Sequence, residues 1–104
     1  MSHPHRGEVW WVEMPGKRRP VLVLTREAAV PVLRTLLVAP VTRRIRGLPT
    51  EVLLDHDDGM PTECAVTLDN VTLADKAYFA GLQARLSPAR MAEVCRALRV
   101  AAGC

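Results

Sequence analysis

Short apolar runs separated by turn-forming residues fill most of this chain. Six runs rich in β-branched and aliphatic residues predict strands. The predicted strands cover residues 8–13, 20–25, 36–41, 50–54, 64–68 and 78–82. The run from Pro20 to Thr25 is almost continuously apolar, which is typical of a strand buried on both faces. Residues 26–34 contain Pro31 and are predicted as a loop or a short helical turn.

The turns and the end of the chain carry their own signals. A Pro-Gly pair follows the first strand, and the acidic sequence at 55–59, which ends in glycine, is a strong turn signal after the fourth. Ser87 is the predicted N-cap of a helix with Pro88 at its first position, and Gly103 ends it. Helical spacing places four side chains on one apolar stripe: Met91, Val94, Cys95 and Leu98. The pattern predicts a mostly β fold, a small curled antiparallel sheet with a C-terminal helix packed on it.

Composition limits the class of protein. The 104 residues predict one domain covering 1–104, and only four residues are aromatic, so aliphatic side chains must form the core. The odd count of three cysteines fits a reducing cytosol better than a disulfide framework. No apolar run approaches the ~20 residues that span a bilayer, and the N-terminus has no signal-peptide pattern. We therefore expect a cytoplasmic protein with no membrane partner.

Charge is segregated along the chain beyond what the net charge of +3 indicates. Residues 17–46 hold eight basic side chains and one acid, whereas residues 47–75 hold seven acids and no lysine or arginine. Such segregation favours a basic surface for an anionic partner such as nucleic acid. The alternative is that the strands distribute these charges around the surface and no patch forms.

Two side chains beside predicted strands suggest a phosphate site. Arg19 precedes Pro20 and is therefore pushed toward an extended conformation, and Pro20 can open a strand because its missing N–H costs nothing there. A guanidinium matches phosphate oxygens in a bidentate way. Thr42 ends an apolar strand, where its hydroxyl can bond a phosphate oxygen or a ribose 2′-hydroxyl, or can merely cap the local turn. Arginines in the following loop suit backbone phosphates, although they are equally typical of a solvated loop.

Five sequence blocks carry a resemblance to a known family. The blocks are RGEVW at 6–10, RPVLVL at 19–24, VAPVT at 38–42, LDN at 68–70 and LSP at 86–88. Their order and spacing resemble the MazF/PemK family of toxin ribonucleases from about residue 6 to the end. The resemblance implies an SH3-like small barrel of the MazF/PemK/CcdB type, usually a homodimer. It also implies a toxin that cuts single-stranded RNA at specific sequences through a 2′,3′-cyclic phosphate and is restrained by a cognate antitoxin.

The resemblance implies roles for individual residues. Arg19 and Thr42 match catalytic positions, and Asp69 is a third candidate that could orient or deprotonate the 2′-hydroxyl. Arg19 is expected to stabilise transition-state charge rather than donate a proton, since arginine is a poor acid. The alternative for Asp69 is a turn residue that bonds the backbone. Predicted RNA-binding residues are Trp10, Lys17, Arg18, Arg43, Arg44, Arg46 and Asn70.

Trp10 and Trp11 are neighbours on one strand and therefore face opposite sides. One is expected in the core, and the other can stack on a base. The resemblance places an aromatic residue near Trp10 on the RNA or antitoxin surface. Core or dimer packing of both rings is the alternative.

Other chemistry and a rival function remain. The histidines and cysteines lack zinc-ligand spacing, so we predict no metal and no cofactor. The rival is a non-catalytic barrel of the CcdB type that binds nucleic acid or blocks another enzyme. Arg19 together with Thr42 favours the enzyme, and the sequence does not indicate which RNA motif is cut.

Overall fold

The computed structural model describes residues 3–104, and within them it contains seven strands and one α-helix. The strands are β1 (Glu8–Met14), β2 (Lys17–Val23), β3 (Thr35–Thr42), β4 (Glu51–Leu54), β5 (Cys64–Thr67), β6 (Thr72–Asp75) and β7 (Phe79–Arg85). The helix α1 covers Pro88–Ala102. All six predicted strands are confirmed, and the turn at Glu27–Ala29 lies in the segment predicted as a loop or short helical turn. The sequence missed β6.

The beginning of β2 differs from the prediction. The strand starts at Lys17, which pairs with Met14 across a two-residue turn, so the prediction that Pro20 opens the strand is wrong. Gly16 at φ +78° provides the left-handed conformation that this tight turn needs. Proline is tolerated inside the strand because β3 pairs with β2 only from Val21 onward, which leaves Pro20 on an edge stretch.

The sheet is antiparallel at every pairing, in the order β4-β5-β3-β2-β1-β7, with β6 also paired to β3. Strand β3 joins the two halves. Its first residues pair with β6 and its middle with β2, whereas Val41 and Thr42 pair with β5. A strand that changes partners along its length curls the sheet, as the predicted small barrel with a C-terminal helix requires.

Two hydrophobic clusters lie on opposite faces of β2. Leu22 and Leu24 belong to the larger cluster beneath α1, and Val21 and Val23 belong to a smaller one with Trp10. The prediction that this strand is buried on both faces is confirmed. Burial on both sides fixes the register of β2, and it therefore fixes the position of Arg19 two residues before Val21.

Helix α1 begins and ends at the predicted residues. The Ser87 hydroxyl accepts a hydrogen bond from the Arg90 N–H at 3.1 Å, and Gly103 is left-handed at φ +73°. Val94 and Ala97 are the buried residues of the helix. Cys95 is only half-buried, and its Sγ accepts a long hydrogen bond from Arg6 at 3.6 Å. No helix within residues 3–104 is long and apolar enough to cross a lipid bilayer.

Two mostly buried carboxylates, Glu8 and Asp58, bind arginines from distant parts of the chain. Glu8 is 3% exposed and accepts hydrogen bonds from the Trp10 indole at 2.9 Å, from Arg85 at 2.8 Å and from the His5 backbone at 2.8 Å. Burial alone would raise the pKa of Glu8, but these donors outweigh it and lower the pKa below its ordinary value. The carboxylate is therefore held ionised inside the protein.

The second carboxylate fastens the loop between β4 and β5. Arg90 on α1 donates to Asp58 at 2.9 Å and to Glu93 at 3.0 Å, an arrangement called the Arg90 clamp below. Burial opposes ionisation of Asp58, but the Arg90 hydrogen bond and the backbone donor lower its pKa. The clamp holds the loop at residues 55–63 against the helix.

Candidate functional site

Arg19 and Thr42 come together just beyond the point where the pairing between β2 and β3 ends. The first half of β2 projects beyond the β3 pairing, and Thr42 is the last residue of β3. Both residues line two adjoining cavities. The first cavity has a volume of about 320 Å³ and the second about 540 Å³. The sheet thus places a guanidinium and a hydroxyl from different strands at the junction of two recesses.

The first cavity is polar and combines both signs of charge. It lies between the end of β3, the loop at 43–50, β5 and the turn Leu68–Asn70. Its lining residues are Arg19, Pro40, Thr42, Arg44, Arg46, Leu48, Thr50, Glu51, Thr67, Asp69 and Asn70. Three cationic side chains beside three threonine hydroxyls and two carboxylates suit a phosphodiester whose neighbouring groups must be positioned.

Hydrogen bonds from backbone N–H groups to the side chains of Thr42 and Glu51 hold the arginine-rich loop at residues 43–50 in place. The Thr42 hydroxyl accepts from the Arg44 N–H at 3.1 Å. The Glu51 carboxylate accepts from the Arg46 N–H and from the Leu48 N–H, each at 3.1 Å. Thr42 therefore does cap the local turn, but only as an acceptor, so its hydroxyl proton stays available for a phosphate oxygen.

Asp69 lies at the far wall of the first cavity. The Thr50 hydroxyl donates to its Oδ2 at 2.5 Å, so its partner is a side chain and not the backbone that the turn alternative predicted. The other oxygen, Oδ1, makes no hydrogen bond within the described residues. Asn70 follows it and is exposed to the same cavity. An oriented carboxylate with one available oxygen can accept a proton or a hydroxyl hydrogen bond.

Arg19 and the arginines at residues 43–46 have no carboxylate partners within residues 3–104, whereas Arg18 beside the second cavity pairs with Glu13 at 3.1 Å. We call the side chains of Arg19, Arg43, Arg44 and Arg46 the basic rim; all four are exposed. Arg43 lines the second cavity, and the other three line the first. Lys17 is exposed at the hairpin and lines neither cavity, so the structure does not bring it together with Arg18, Arg43, Arg44, Arg46 and Asn70.

Trp10 is buried, which corrects the prediction that it binds RNA. Its side chain is 5% exposed, its indole donates to Glu8, and its ring meets Phe79 edge-on at 6.1 Å. Trp11 faces the other way and lines the second cavity, with the Arg18 guanidinium 5.8 Å above its ring. The alternation along β1 was predicted correctly, but sequence alone did not show which ring faces the core.

Several lining residues were not anticipated. Thr50 orients Asp69, Glu51 holds the arginine loop, and Thr67 donates to the Pro40 carbonyl at 2.9 Å. They come from β4, β5 and the residue before β4, far from Arg19 along the chain. Thr50 and Glu51 follow the loop that carries Arg43, Arg44 and Arg46, and Thr67 precedes the LDN block at 68–70, but neither position identifies a contact across the cavity.

The described residues contain no group of three or more histidine, cysteine, aspartate or glutamate side chains that could hold a metal ion. Cys64, Cys95 and Cys104 are free thiols. Burial raises the pKa of the Cys64 thiol, and nearby Asp58 and Asp55 raise it further. Cys64 borders the second cavity as an uncharged group.

The chain is similar to known toxins over almost its full length. Residues 5–102 match the family model described as PemK-like, MazF-like toxin of type II toxin-antitoxin system. The probable endoribonuclease MazF5 of Mycobacterium tuberculosis H37Rv is 50% identical over 103 residues, covering 97% of this chain and 94% of that protein. The probable endoribonuclease MazF2 of the same strain is 40% identical, covering 95% and 98%.

Solved structures have the same fold. The Mycobacterium tuberculosis toxin MazF-mt6 superposes with a TM-score of 0.86 at 30% identity, covering 92% of this chain and 96% of that chain. A chain from a MazE-MazF structure of Deinococcus radiodurans gives 0.84 at 31% identity, covering 99% and 98%. The fold predicted from the sequence is confirmed.

Proposed function

The chain belongs to the PemK-like, MazF-like family of toxins of type II toxin-antitoxin systems and is an endoribonuclease of this type, and we propose that it cleaves single-stranded RNA at specific sequences without a metal ion. The observation that carries the mechanism is the meeting of Arg19 and Thr42 at the junction of the two cavities, opposite Asp69. These three groups supply charge stabilisation, a hydrogen-bond donor and a proton acceptor.

The proposed reaction is an attack within the substrate. The ribose 2′-oxygen forms a bond to the adjacent phosphorus while its proton passes to Asp69. The bond from phosphorus to the 5′-oxygen breaks, and that oxygen takes a proton from water, leaving a 2′,3′-cyclic phosphate and a free 5′-hydroxyl. Asp69 then gives its proton to the hydroxide that remains, which restores both the carboxylate and the water. Arg19 stabilises the charge on the phosphoryl oxygens, and Thr42 donates to one of them. The rest of the basic rim holds the neighbouring phosphates.

A chelator and a blocked substrate test this proposal together. Cleavage of an RNA transcript should persist in excess EDTA. It should stop on an oligonucleotide methylated at the 2′-hydroxyl of the cut site, because the nucleophile is then absent. Cleavage of the methylated oligonucleotide would refute the mechanism. An absence of any cleavage would instead favour the non-catalytic alternative.

We further propose that a cognate antitoxin covers the basic rim with an acidic segment that folds on binding. Its carboxylates would take the positions of RNA phosphates, so inhibition should be competitive with RNA. Reversing the charge at Arg43 and Arg44 should weaken the binding of both RNA and antitoxin. Added salt should weaken the binding of both ligands to the native protein. An antitoxin that binds the charge-reversed protein with unchanged affinity would place the two ligands on different surfaces.

A homodimer is proposed on grounds of exposed apolar surface. Both tryptophans are accounted for within one chain, so neither requires a partner. Edge strand β6 and its neighbours instead expose Leu73 (64%), Tyr78 (58%) and Met14 (42%) around a recess of about 530 Å³. Burying these side chains against a second copy would remove them from water. Sedimentation that shows only monomer at micromolar concentration would contradict the homodimer.

We propose that the protein acts in the cytosol, where RNA is available.

A further inference from the structure

The second cavity shares Arg19 and Thr42 with the reaction site, and its other lining residues take no part in the proposed reaction. It is lined largely by Trp11, Pro20, Val41, Met60 and Pro61, with the Thr62 hydroxyl among them. About 540 Å³ is in the range of small-molecule sites. Because Arg19 and Thr42 line it as well, whatever fills it lies directly beside the phosphate at the reaction site.

The flat wall of this cavity is a stacking platform. Trp11 is half-buried on β1, and the Arg18 guanidinium lies 5.8 Å from the centre of its ring. Arg18 is in turn held by Glu13 at 3.1 Å. Unpaired RNA bases stack on aromatic rings and on guanidinium planes. The platform therefore offers the surface that an unstacked base requires.

Gln83 fixes the platform to the opposite wall. Its Oε1 accepts from the Trp11 indole Nε1 at 3.0 Å, and its Nε2 donates to the Gly59 carbonyl at 3.0 Å. One carboxamide on β7 thus connects the Trp11 ring to the loop that supplies Met60, Pro61 and Thr62.

The loop side of this connection is itself rigid. Gly59 is left-handed at φ +94°, and a Cβ there would lie 3.2 Å from the Ala84 Cβ, so only glycine lets the loop sit this close to β7. The Arg90 clamp holds the preceding residue, Asp58. The two walls of the cavity are therefore preformed, and Gln83 sets the distance between them.

From this geometry we infer that the second cavity is the subsite for the base of the nucleotide next to the scissile phosphate, and that Gln83 is a positioning residue that sets base preference by holding Trp11. This inference rests on the proposed function and adds to it the origin of sequence preference. Gln83 touches no reacting atom, and its effect should appear in substrate choice and KM rather than in kcat.

The test compares Gln83→Leu, Trp11→Phe and Trp11→Ala with Thr72→Val, an exposed change on β6 that lines neither cavity. Each protein cuts a pool of RNA with randomised bases, and the ends of the products are sequenced. Gln83→Leu should reduce base discrimination at one position beside the cut by about tenfold, the scale of a lost stacking contact. KM should rise similarly, and kcat should change less than twofold.

Two further measurements separate positioning from a general loss of structure. Because Gln83 acts through Trp11, adding Gln83→Leu to Trp11→Ala should cause little further change. A randomised 2′-O-methylated RNA oligomer should quench the fluorescence of the native protein but not of Trp11→Phe, since the remaining Trp10 is buried. Thr72→Val should match the native protein in every measurement.

The failures are distinguishable. If the native protein cuts RNA but the Gln83 and Trp11 variants keep its base profile and KM, the cavity is not a base subsite. If the native protein does not cut RNA at all, the proposed function fails. The methylated oligomer then still tests the subsite, because the absence of Trp11-dependent quenching would overturn it.

Discussion

Arginines on two sides of this molecule stand in opposite surroundings. Arg85 and Arg90 are each bound to carboxylates that are less than a tenth exposed, Glu8 and Asp58. The arginines of the basic rim have no carboxylate partner within residues 3–104. The same side chain therefore stabilises the fold in one region and remains available for an anionic ligand in the other.

The two regions differ in which of their groups are paired within the protein. In the paired region, Glu8 and Asp58 each have an arginine partner, and removing that arginine would leave a mostly buried carboxylate without it. At the rim, the protein instead satisfies the backbone of the loop, through Thr42 and Glu51, and leaves the guanidinium groups exposed. A prearranged but uncompensated set of cations is what a phosphate-binding site requires.

The largest expected effect is on catalysis. Arg19→Ala should reduce kcat on RNA about 100-fold or more, because a cation aimed at the transition state is lost. The melting temperature should barely change, since Arg19 is exposed and carries no ion pair within the described residues. Single-turnover cleavage and calorimetry would measure the two quantities. A large fall in melting temperature without loss of cleavage would erase the distinction between the two regions.

The opposite result is expected for Arg90→Ala. Asp58 would keep a mostly buried carboxylate without its main partner, which should cost about 2 kcal/mol of unfolding free energy. Arg96→Ala, an exposed change on the same helix, should cost less than about 0.5 kcal/mol. Urea unfolding would compare the two. Equal stability of both variants would show that the Arg90 clamp contributes nothing.

Glu8 should make the free energy of unfolding depend on pH. Its pKa is lowered in the folded state from 4.5, so its contribution is fully present above that value and is lost as pH falls through the lower folded pKa. Glu8→Gln should cost about 1–2 kcal/mol at pH 7, and the difference should shrink toward pH 3. Unfolding curves across this range would measure it. Glu63→Gln, an exposed change, should show no such convergence.

Thr42 tests the hydroxyl of the site. Thr42→Ala should reduce kcat about tenfold, less than the loss of Arg19, because a neutral donor contributes less than a cation. Thr42→Ser keeps the hydroxyl and should restore most of the rate. If the serine variant is as slow as the alanine variant, Thr42 acts through its packing and not through its hydrogen bond.

The smallest effect is expected at the edge of the rim. Arg46→Ala should weaken RNA binding only a few-fold and reduce the salt slope of log affinity by about 0.7, as for one lost contact to a single-stranded phosphate. Its kcat should stay close to native. Binding titrations at several salt concentrations would measure this. A loss of turnover equal to that of Arg19→Ala would contradict the separate roles of the two arginines.

The strands and the helix could be predicted because their causes are local. Alternation and apolar runs specify β1 to β5, and Ser87, Pro88 and Gly103 set the ends of α1 through their own backbone preferences. Strand β6 was missed because Thr72–Asp75 is short and exposes Leu73 to solvent, so its pattern carries no sign of burial. It is a strand because β3 provides a partner.

The candidate site also contains some residues that the sequence could indicate and some contacts that it could not. The sequence by itself indicated Arg19, Thr42 and Asp69, through the chemistry of each residue type and the family resemblance. Only the tertiary structure decided that Trp11 and not Trp10 faces the surface, that Thr50 orients Asp69, and that Gln83 joins two walls of a cavity. The physical reason is that these contacts join residues 19 to 72 positions apart, and such contacts depend on sheet register and burial rather than on local preference.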